Sequence, residues 1–132
     1  MVKILDASAL IVYLWKQPGY KEVQEFLSKA TETEKWLLMT TVNFGEVYYL
    51  LVRDHGVEEA DKILQAIQTL PIEFVPIDLS LTQQAALYKA SYKLPFADCF
   101  AAALAKLRKG ELITTDKDFK VVEEEIKISW LS

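Results

Sequence analysis

Short apolar runs alternate with longer amphipathic stretches from one end of the chain to the other. The apolar runs have the length and composition of strands, and they lie at 2–5, 36–40, 72–77, 111–114 and 126–131. Between them, apolar residues recur at helical spacing over 9–15, 20–30, 41–53, 57–70, 80–92 and 97–109. Strands that alternate with helices through short connections predict a mainly parallel sheet with helices on both faces, a three-layer α/β/α fold.

Caps and helix-breaking residues mark the predicted ends of several of these helices. Ser80 is the predicted N-cap of the helix over 80–92. Pro95 suits the entrance of the next helix, because its missing N–H is not needed in a first turn. Gly56 and Gly110 are predicted to end the helices that precede them.

Two aspartates lie just past the ends of predicted strands. Asp6 comes after the first strand, and Asp116 comes after the strand over 111–114. Reactive groups in open α/β sheets collect at the carboxyl edge of the strands, so these two side chains are predicted to lie near one another. The alternative interpretation of Asp6, and equally of Ser8, is a simple N-cap of the following helix.

A third acid, Glu46, lies in the middle of a helix that is apolar almost all round. An ionised carboxylate that is buried without a partner is very costly. A buried Glu46 is therefore predicted to have either a functional role or a basic partner. Asn43 lies one turn earlier on the same face, where the two side chains can act together. The structural alternative for Glu46 is an ion pair with Arg53 or Lys62.

A fourth acid, Asp98, lies in the first turn of the helix over 97–109. Small residues occupy the neighbouring face of that helix, so another backbone can approach closely and Asp98 need not face solvent. Its structural alternative is to complement the positive end of the helix dipole.

Four acids at one sheet edge would repel one another, and some would take up protons unless cations bind. The hard cations Mg²⁺ and Mn²⁺ prefer such oxygen ligands, and they can activate water and neutralise charge on a phosphodiester. Ser8, Asn43 and Thr115 are suited to orient carboxylates or water around such a site. The absence of a glycine-rich phosphate loop disfavours a nucleoside triphosphate site.

Composition narrows the class of protein. A chain of 132 residues, 52% of them hydrophobic, predicts a single domain over 1–132 with a substantial core. One cysteine, Cys99, excludes an internal disulfide, and together with the single histidine, His55, it disfavours zinc fingers and Cys–His proteases. The chain shows neither a signal-peptide pattern nor a membrane-spanning stretch, so we expect a cytoplasmic protein without membrane association.

The net charge of −4 arises from 19 acidic and 15 basic residues. If the four acids described above face bound cations, the remaining charges balance. Net charge therefore neither supports nor excludes an RNA partner.

Four segments resemble the motifs of the PIN-domain family of ribonucleases, above all the VapC-type toxins of prokaryotic toxin–antitoxin pairs. The segments are LDASAL at 5–10, NFGEV at 43–47, FADCFAAALA at 96–105 and LITTDKDF at 112–119. They occur in the family order and extend over the whole chain. Each motif is weak alone, and the set is specific.

The resemblance implies a PIN-like fold and a Mg²⁺- or Mn²⁺-dependent endoribonuclease. It places four acids at the metal site and in catalysis: Asp6, Glu46, Asp98 and Asp116. Ser8 and Thr115 match supporting polar positions. Asp118 matches a position that is acidic in many relatives, and a turn or cap role is its alternative.

The resemblance also implies partners. Similar toxins form homodimers and are inhibited by a VapB-type antitoxin, which inserts a tail near the acidic site and carries the DNA-binding part. Two other interpretations stay open: a PIN fold that binds RNA or protein without turnover, and a phosphoacceptor receiver domain. The second lacks its expected paired acid, since Asp6 stands alone after the first strand.

Overall fold

A five-stranded parallel sheet forms the centre of the protein, in a computed structural model that describes all residues 1–132. The strands are β1 (Lys3–Leu5), β2 (Leu37–Thr40), β3 (Ile72–Val75), β4 (Glu111–Thr114) and β5 (Lys127–Trp130). Their spatial order is β3-β2-β1-β4-β5, and every neighbouring pair is parallel. The predicted parallel sheet is confirmed, and the last strand lies at an edge as expected.

Six α-helices and one 3₁₀ helix connect the strands. They are α1 (Ala7–Leu14), α2 (Tyr20–Thr33), α3 (Thr41–His55), α4 (Val57–Ile67), α5 (Leu79–Ser91) and α6 (Phe96–Leu107), with the 3₁₀ helix at Lys117–Val122. None of the helices is long and apolar enough to cross a bilayer.

Side chains that alternate between the two faces of the sheet divide the core into two layers. Ile4 and Leu112 point to the face covered by α5 and α6, whereas Leu5 and Ile113 point to the face covered by α1 to α4. Successive strand residues face opposite sides of a sheet, so a central strand must be apolar at consecutive positions. This arrangement confirms the three-layer α/β/α fold.

α6 is rich in alanine because it packs closely against other elements on several sides. Asp98 and the seven residues that follow it are all buried, because α6 packs against α5, α3 and the sheet. Gly110 then brings the start of β4 against β1. A Cβ at this position would lie 2.5 Å from Ile4 Cδ1 and 2.7 Å from the Val2 carbonyl oxygen.

One predicted cap is wrong. Ser80 does not cap α5, because Asp78 precedes it and its carboxylate accepts a hydrogen bond from the Leu81 amide at 2.8 Å. α5 therefore begins at Leu79, and Ser80 lies inside its first turn. The strand predicted over 72–77 is also shorter than expected, since it ends at Val75, before Pro76.

Candidate metal centre

The carboxyl ends of β1 and β4 lie side by side at the centre of the sheet. Leu5 is in register with Ile113, so the next residues, Asp6 and Thr114, face one another across the two strands. Asp116 follows two residues later. Sheet order therefore brings together two acids that are more than 100 residues apart in sequence.

Hydrogen bonds fix both carboxylate oxygens of Asp6, which is only 2% exposed. Oδ1 accepts from the Ala9 amide at 2.9 Å and from the Ser8 hydroxyl at 2.8 Å. Oδ2 accepts from the Thr114 hydroxyl at 2.6 Å. Asp6 is thus the N-cap of α1 and a member of the acidic cluster at the same time, because its two oxygens serve different partners.

The Thr114 hydroxyl links Asp6 to Asp116. It donates to Asp6 and accepts from the Asp116 amide at 2.9 Å. The Ser8 hydroxyl lies 3.2 Å from it and accepts from the Thr115 amide at 3.1 Å. These bonds tie the loop after β4 to the loop after β1.

Asp98, Asp116 and Asp118 form the closest group of acids in this region. One carboxylate oxygen from each lies within 4.8 Å of the others. Asp98 is buried in the first turn of α6, and Asp116 caps the 3₁₀ helix by accepting from the Asp118 amide at 2.9 Å. Asp118 therefore lies close enough to contribute to the same site.

Glu46 completes the cluster from α3. Its Oε1 atom is buried and has no hydrogen-bond partner, and the same is true of Oδ2 of Asp98. Neither predicted ion-pair partner reaches Glu46, since Arg53 pairs with Asp54 at 3.0 Å and Lys62 forms no ion pair.

Burial and mutual repulsion raise the pKa values of three acids. Burial outweighs three hydrogen bonds and raises the pKa of Asp6 to about 6. Burial, and then the neighbouring charge of Asp116, raise the pKa of Asp98 to about 8. Burial and the charge of Asp116 also raise the pKa of Glu46. The carboxyl groups are thus close enough to disfavour one another's ionisation.

Asn43 makes no hydrogen bond to a carboxylate, contrary to the expectation from the sequence. Its side chain bonds to Thr40, the N-cap of α3, and its Nδ2 atom donates to the Ala97 carbonyl at 3.1 Å. Ala97 immediately precedes Asp98, so Asn43 fixes the first turn of α6 against α3. Its effect on the acids is indirect.

The roles of three threonines at strand ends differ from the prediction or were not predicted. The Thr115 hydroxyl makes no hydrogen bond, and the contact with Asp6 comes from Thr114 instead. Thr114 is the last residue of the buried strand β4. A polar residue at that position was the one feature of the sequence that could have indicated a role at the acidic site. Thr40 was missed in the same way, although it is a fully buried threonine at the end of β2.

The donor set fits a hard divalent cation. The three side chains that come close enough to share an ion are all carboxylates. In addition, one buried oxygen of Glu46 and one of Asp98 have no hydrogen-bond partner. Soft or borderline ligands are elsewhere, since His55 stacks on Trp15 and Cys99 is buried in the core. Oxygen-only sites of this kind suit Mg²⁺ or Mn²⁺. Assigning individual ligand and catalytic roles remains a prediction.

A family model and several solved structures resemble the chain. The PIN domain model matches residues 3–125. No curated protein matches the sequence. DNA-bound VapBC from Salmonella typhimurium is 15% identical with a TM-score of 0.80, and the match covers 98% of this chain and 97% of that one.

Two further structures have the same fold. VapBC2 from Rickettsia felis, bound to a promoter DNA fragment, is 16% identical with a TM-score of 0.78 and full coverage of both chains. VapC20 from Mycobacterium tuberculosis, described as a sarcin–ricin loop cleaving toxin, is 16% identical with a TM-score of 0.64. That match covers 91% of this chain and 94% of the other. At these identities the similarity establishes the fold.

Proposed function

This chain belongs to the PIN domain family, and we propose that it is a metal-dependent endoribonuclease acting as the toxin of a type II toxin–antitoxin pair. One observation carries the enzymatic part of the proposal. Buried oxygens of Glu46 and Asp98 lack hydrogen-bond partners at an edge where Asp6 and Asp116 add further negative charge. Such a cluster must take up protons or bind a cation.

We assign four acids to the metal site and the reaction: Asp6, Glu46, Asp98 and Asp116. When bound, Mg²⁺ or Mn²⁺ supplies a lowered pKa for an attacking water and neutralises charge on the phosphodiester. Glu46 and Asp98 offer oxygens that nothing else in the protein engages. Asp6 is held in one orientation, because both of its oxygens accept hydrogen bonds.

Supporting residues keep these acids in place. Thr114 and Ser8 hold the loops after β1 and β4 together, so Asp6 and Asp116 are positioned before any ligand arrives. Asn43 fixes the turn that carries Asp98. Asp118 supplies a fifth carboxylate near the site, and we propose that it contributes a weaker ligand or holds a water there.

The toxin assignment is supported by the similar solved structures. They include VapBC complexes and a toxin–antitoxin complex from Klebsiella pneumoniae, which is 23% identical with a TM-score of 0.65 over 89% of both chains. On this basis we propose an RNA substrate, a VapB-type antitoxin partner, a homodimer and a cytoplasmic location. Light scattering on the purified protein, with and without the co-expressed antitoxin, tests the assembly.

RNA cleavage tests the activity. Purified protein is incubated with structured and single-stranded RNAs in Mg²⁺, in Mn²⁺ and in chelator, beside the Asp6→Asn variant. Asp78→Asn is the matched control, because asparagine can also cap α5 and Asp78 lies outside the acidic cluster. We expect cleavage that requires metal, disappears in Asp6→Asn and persists in Asp78→Asn.

Two outcomes would contradict the enzymatic proposal. Cleavage that continues in chelator or in purified Asp6→Asn would show that the acids are not needed. Mn²⁺ binding without cleavage of any RNA would favour a PIN fold that binds its partners without turnover.

A further inference from the structure

Two cavities that are lined by lysines lie at the amino edge of the sheet, away from the acids. The first has a volume of about 320 Å³ and lies between the end of α2 and the starts of β1 and β2. The second, about 340 Å³, lies beside the end of α6 and the start of β5. Met1 lines both cavities, so they form one surface, here called the lysine face. Its six lysines are Lys3, Lys29, Lys35, Lys106, Lys109 and Lys127.

Positive charge on the lysine face is only partly compensated. Glu111 pairs with Lys3 and Lys127, and Glu125 lies 3.8 Å from Lys106. The other three lysines are exposed and form no ion pair, and they are Lys29, Lys35 and Lys109. No acid lines the first cavity, and only Glu125 lines the second. A chain with a net charge of −4 therefore concentrates unpaired cations opposite its acidic site.

The walls of the first cavity are amphipathic. The Lys3 ammonium lies 5.6 Å from the centre of the Phe26 ring, and Ala30 and Leu37 supply further apolar surface. Cations supported by apolar walls suit a ligand with repeated negative charges and flat, weakly polar groups between them. The phosphate and base units of a nucleic acid have this chemistry.

We propose that the lysine face binds the phosphate backbone of RNA, as a second contact surface remote from the acids. This inference rests on the proposed function, because it assumes an RNA ligand. Both cavities are lined by lysine and contain no arginine. Lysine binds phosphate as a point charge and tolerates a mobile phosphate chain, whereas arginine favours a fixed bidentate geometry with carboxylates and phosphates alike. The Phe26 ring in the wall of the first cavity favours a nucleic acid over an acidic protein segment, and competition with polyglutamate distinguishes the two.

The lysine face and the acidic site lie at opposite ends of the same short strands. The strands of the sheet contain three or four residues, so the backbone separation of its edges is only about 13 Å. Without metal, the acidic edge repels phosphate groups. RNA binding that persists in chelator therefore comes from a surface other than the acidic edge, and variants of the lysine face test whether it is this one.

The test measures RNA binding in chelator, by fluorescence anisotropy with a labelled single-stranded RNA over a range of salt concentrations. The variant Lys35→Gln/Lys109→Gln removes one unpaired cation from each cavity. The control Lys62→Gln/Lys120→Gln removes two exposed, unpaired lysines from outside both cavities. We expect the slope of log affinity against log salt to fall by about 1.4 in the variant and to change little in the control. When salt is raised from roughly 50 to 200 mM, the fold-decrease in RNA affinity is then about seven times smaller for the variant than for the unmodified protein.

Three results would overturn the inference. They are equal slopes for variant and control, no RNA binding by the unmodified protein at low salt, and displacement of RNA by polyglutamate at the same concentration of charge. Melting curves show whether either variant is destabilised. The inference can fail while the enzyme is active, and it can hold when no cleavage is seen, because the binding assay contains no metal.

Discussion

Replacing Asp98 with asparagine should stabilise the metal-free protein at alkaline pH. Asp98 has a pKa of about 8 in the folded state, compared with an ordinary value of 3.8. Between these values the folded protein holds a proton that the unfolded chain releases, so folding stability falls as pH rises. Asparagine does not ionise, and Asp98→Asn removes this loss.

The size of the effect follows from the pKa shift. A shift from 3.8 to about 8 corresponds to at most about 6 kcal/mol, reached above pH 8. Solvent on the open side of the site screens part of it, and the asparagine amide lacks a partner at Oδ2 of the original carboxylate. We therefore expect a net gain of about 2 kcal/mol at pH 8, or about 8 °C in melting temperature. At pH 4 the gain should vanish.

Bound metal should reverse the order of stability. A cation present at about 100 times its dissociation constant stabilises the unmodified protein by about 2.7 kcal/mol. Asp98→Asn should gain little, because it loses an unpartnered carboxylate oxygen. The assay is thermal unfolding of both proteins and the Asp78→Asn control at pH 4 and pH 8, with chelator and with Mn²⁺.

Two results would refute this reasoning. One is a stability difference between Asp98→Asn and the unmodified protein that is the same at pH 4 and pH 8. It would mean that Asp98 ionises normally in the folded state. The other is an unchanged Mn²⁺ affinity, which would remove Asp98 from the metal site.

Three further predictions follow from the same contacts. The metal-free protein should lose stability in urea titrations as pH rises from about 4 to 8, because Asp6 and Asp98 have raised pKa values, and saturating Mn²⁺ should flatten this dependence. Thr114→Val should cost about 1–3 kcal/mol and weaken Mn²⁺ binding by calorimetry, whereas Thr114→Ser should restore most of both. Gly110→Ala should lower the free energy of unfolding by about 1–3 kcal/mol in denaturant titrations, because its Cβ would collide with Ile4 and the Val2 carbonyl. Unchanged stability of this variant would contradict the close approach of the two strands.

Periodicity and turn chemistry were sufficient to predict the elements of this fold. The strand over 111–114 matches β4 residue for residue, and all six predicted helices occur. Boundaries were less certain where two capping residues compete, as at Asp78 and Ser80. The α/β alternation also predicted the parallel sheet, because short crossovers leave few other arrangements.

The neighbours of each acid could not be predicted in this way. That Asp6 faces Thr114 depends on β4 lying beside β1, and strand order is set by packing over the whole sheet. The chain pattern marked Thr115 as the supporting residue, while strand geometry gave the contact to Thr114. Asn43 was expected at the acids, and its real partners, Thr40 and Ala97, became identifiable only once α3 and α6 were packed together.

The two interpretations of Asp6 that the sequence left open, a helix cap and a catalytic acid, are both compatible with the structure because they use different atoms. Oδ1 caps α1, and Oδ2 is held by Thr114 within the acidic cluster. Asp6→Asn should therefore keep the cap while removing the charge, whereas Asp6→Ala removes both. Comparing the two variants separates the roles: both should lose Mn²⁺ binding, but only Asp6→Ala should lose the additional ~1 kcal/mol of a missing cap. Equal stability of the two variants would show that the charge, and not the cap, accounts for the contribution of Asp6 to folding.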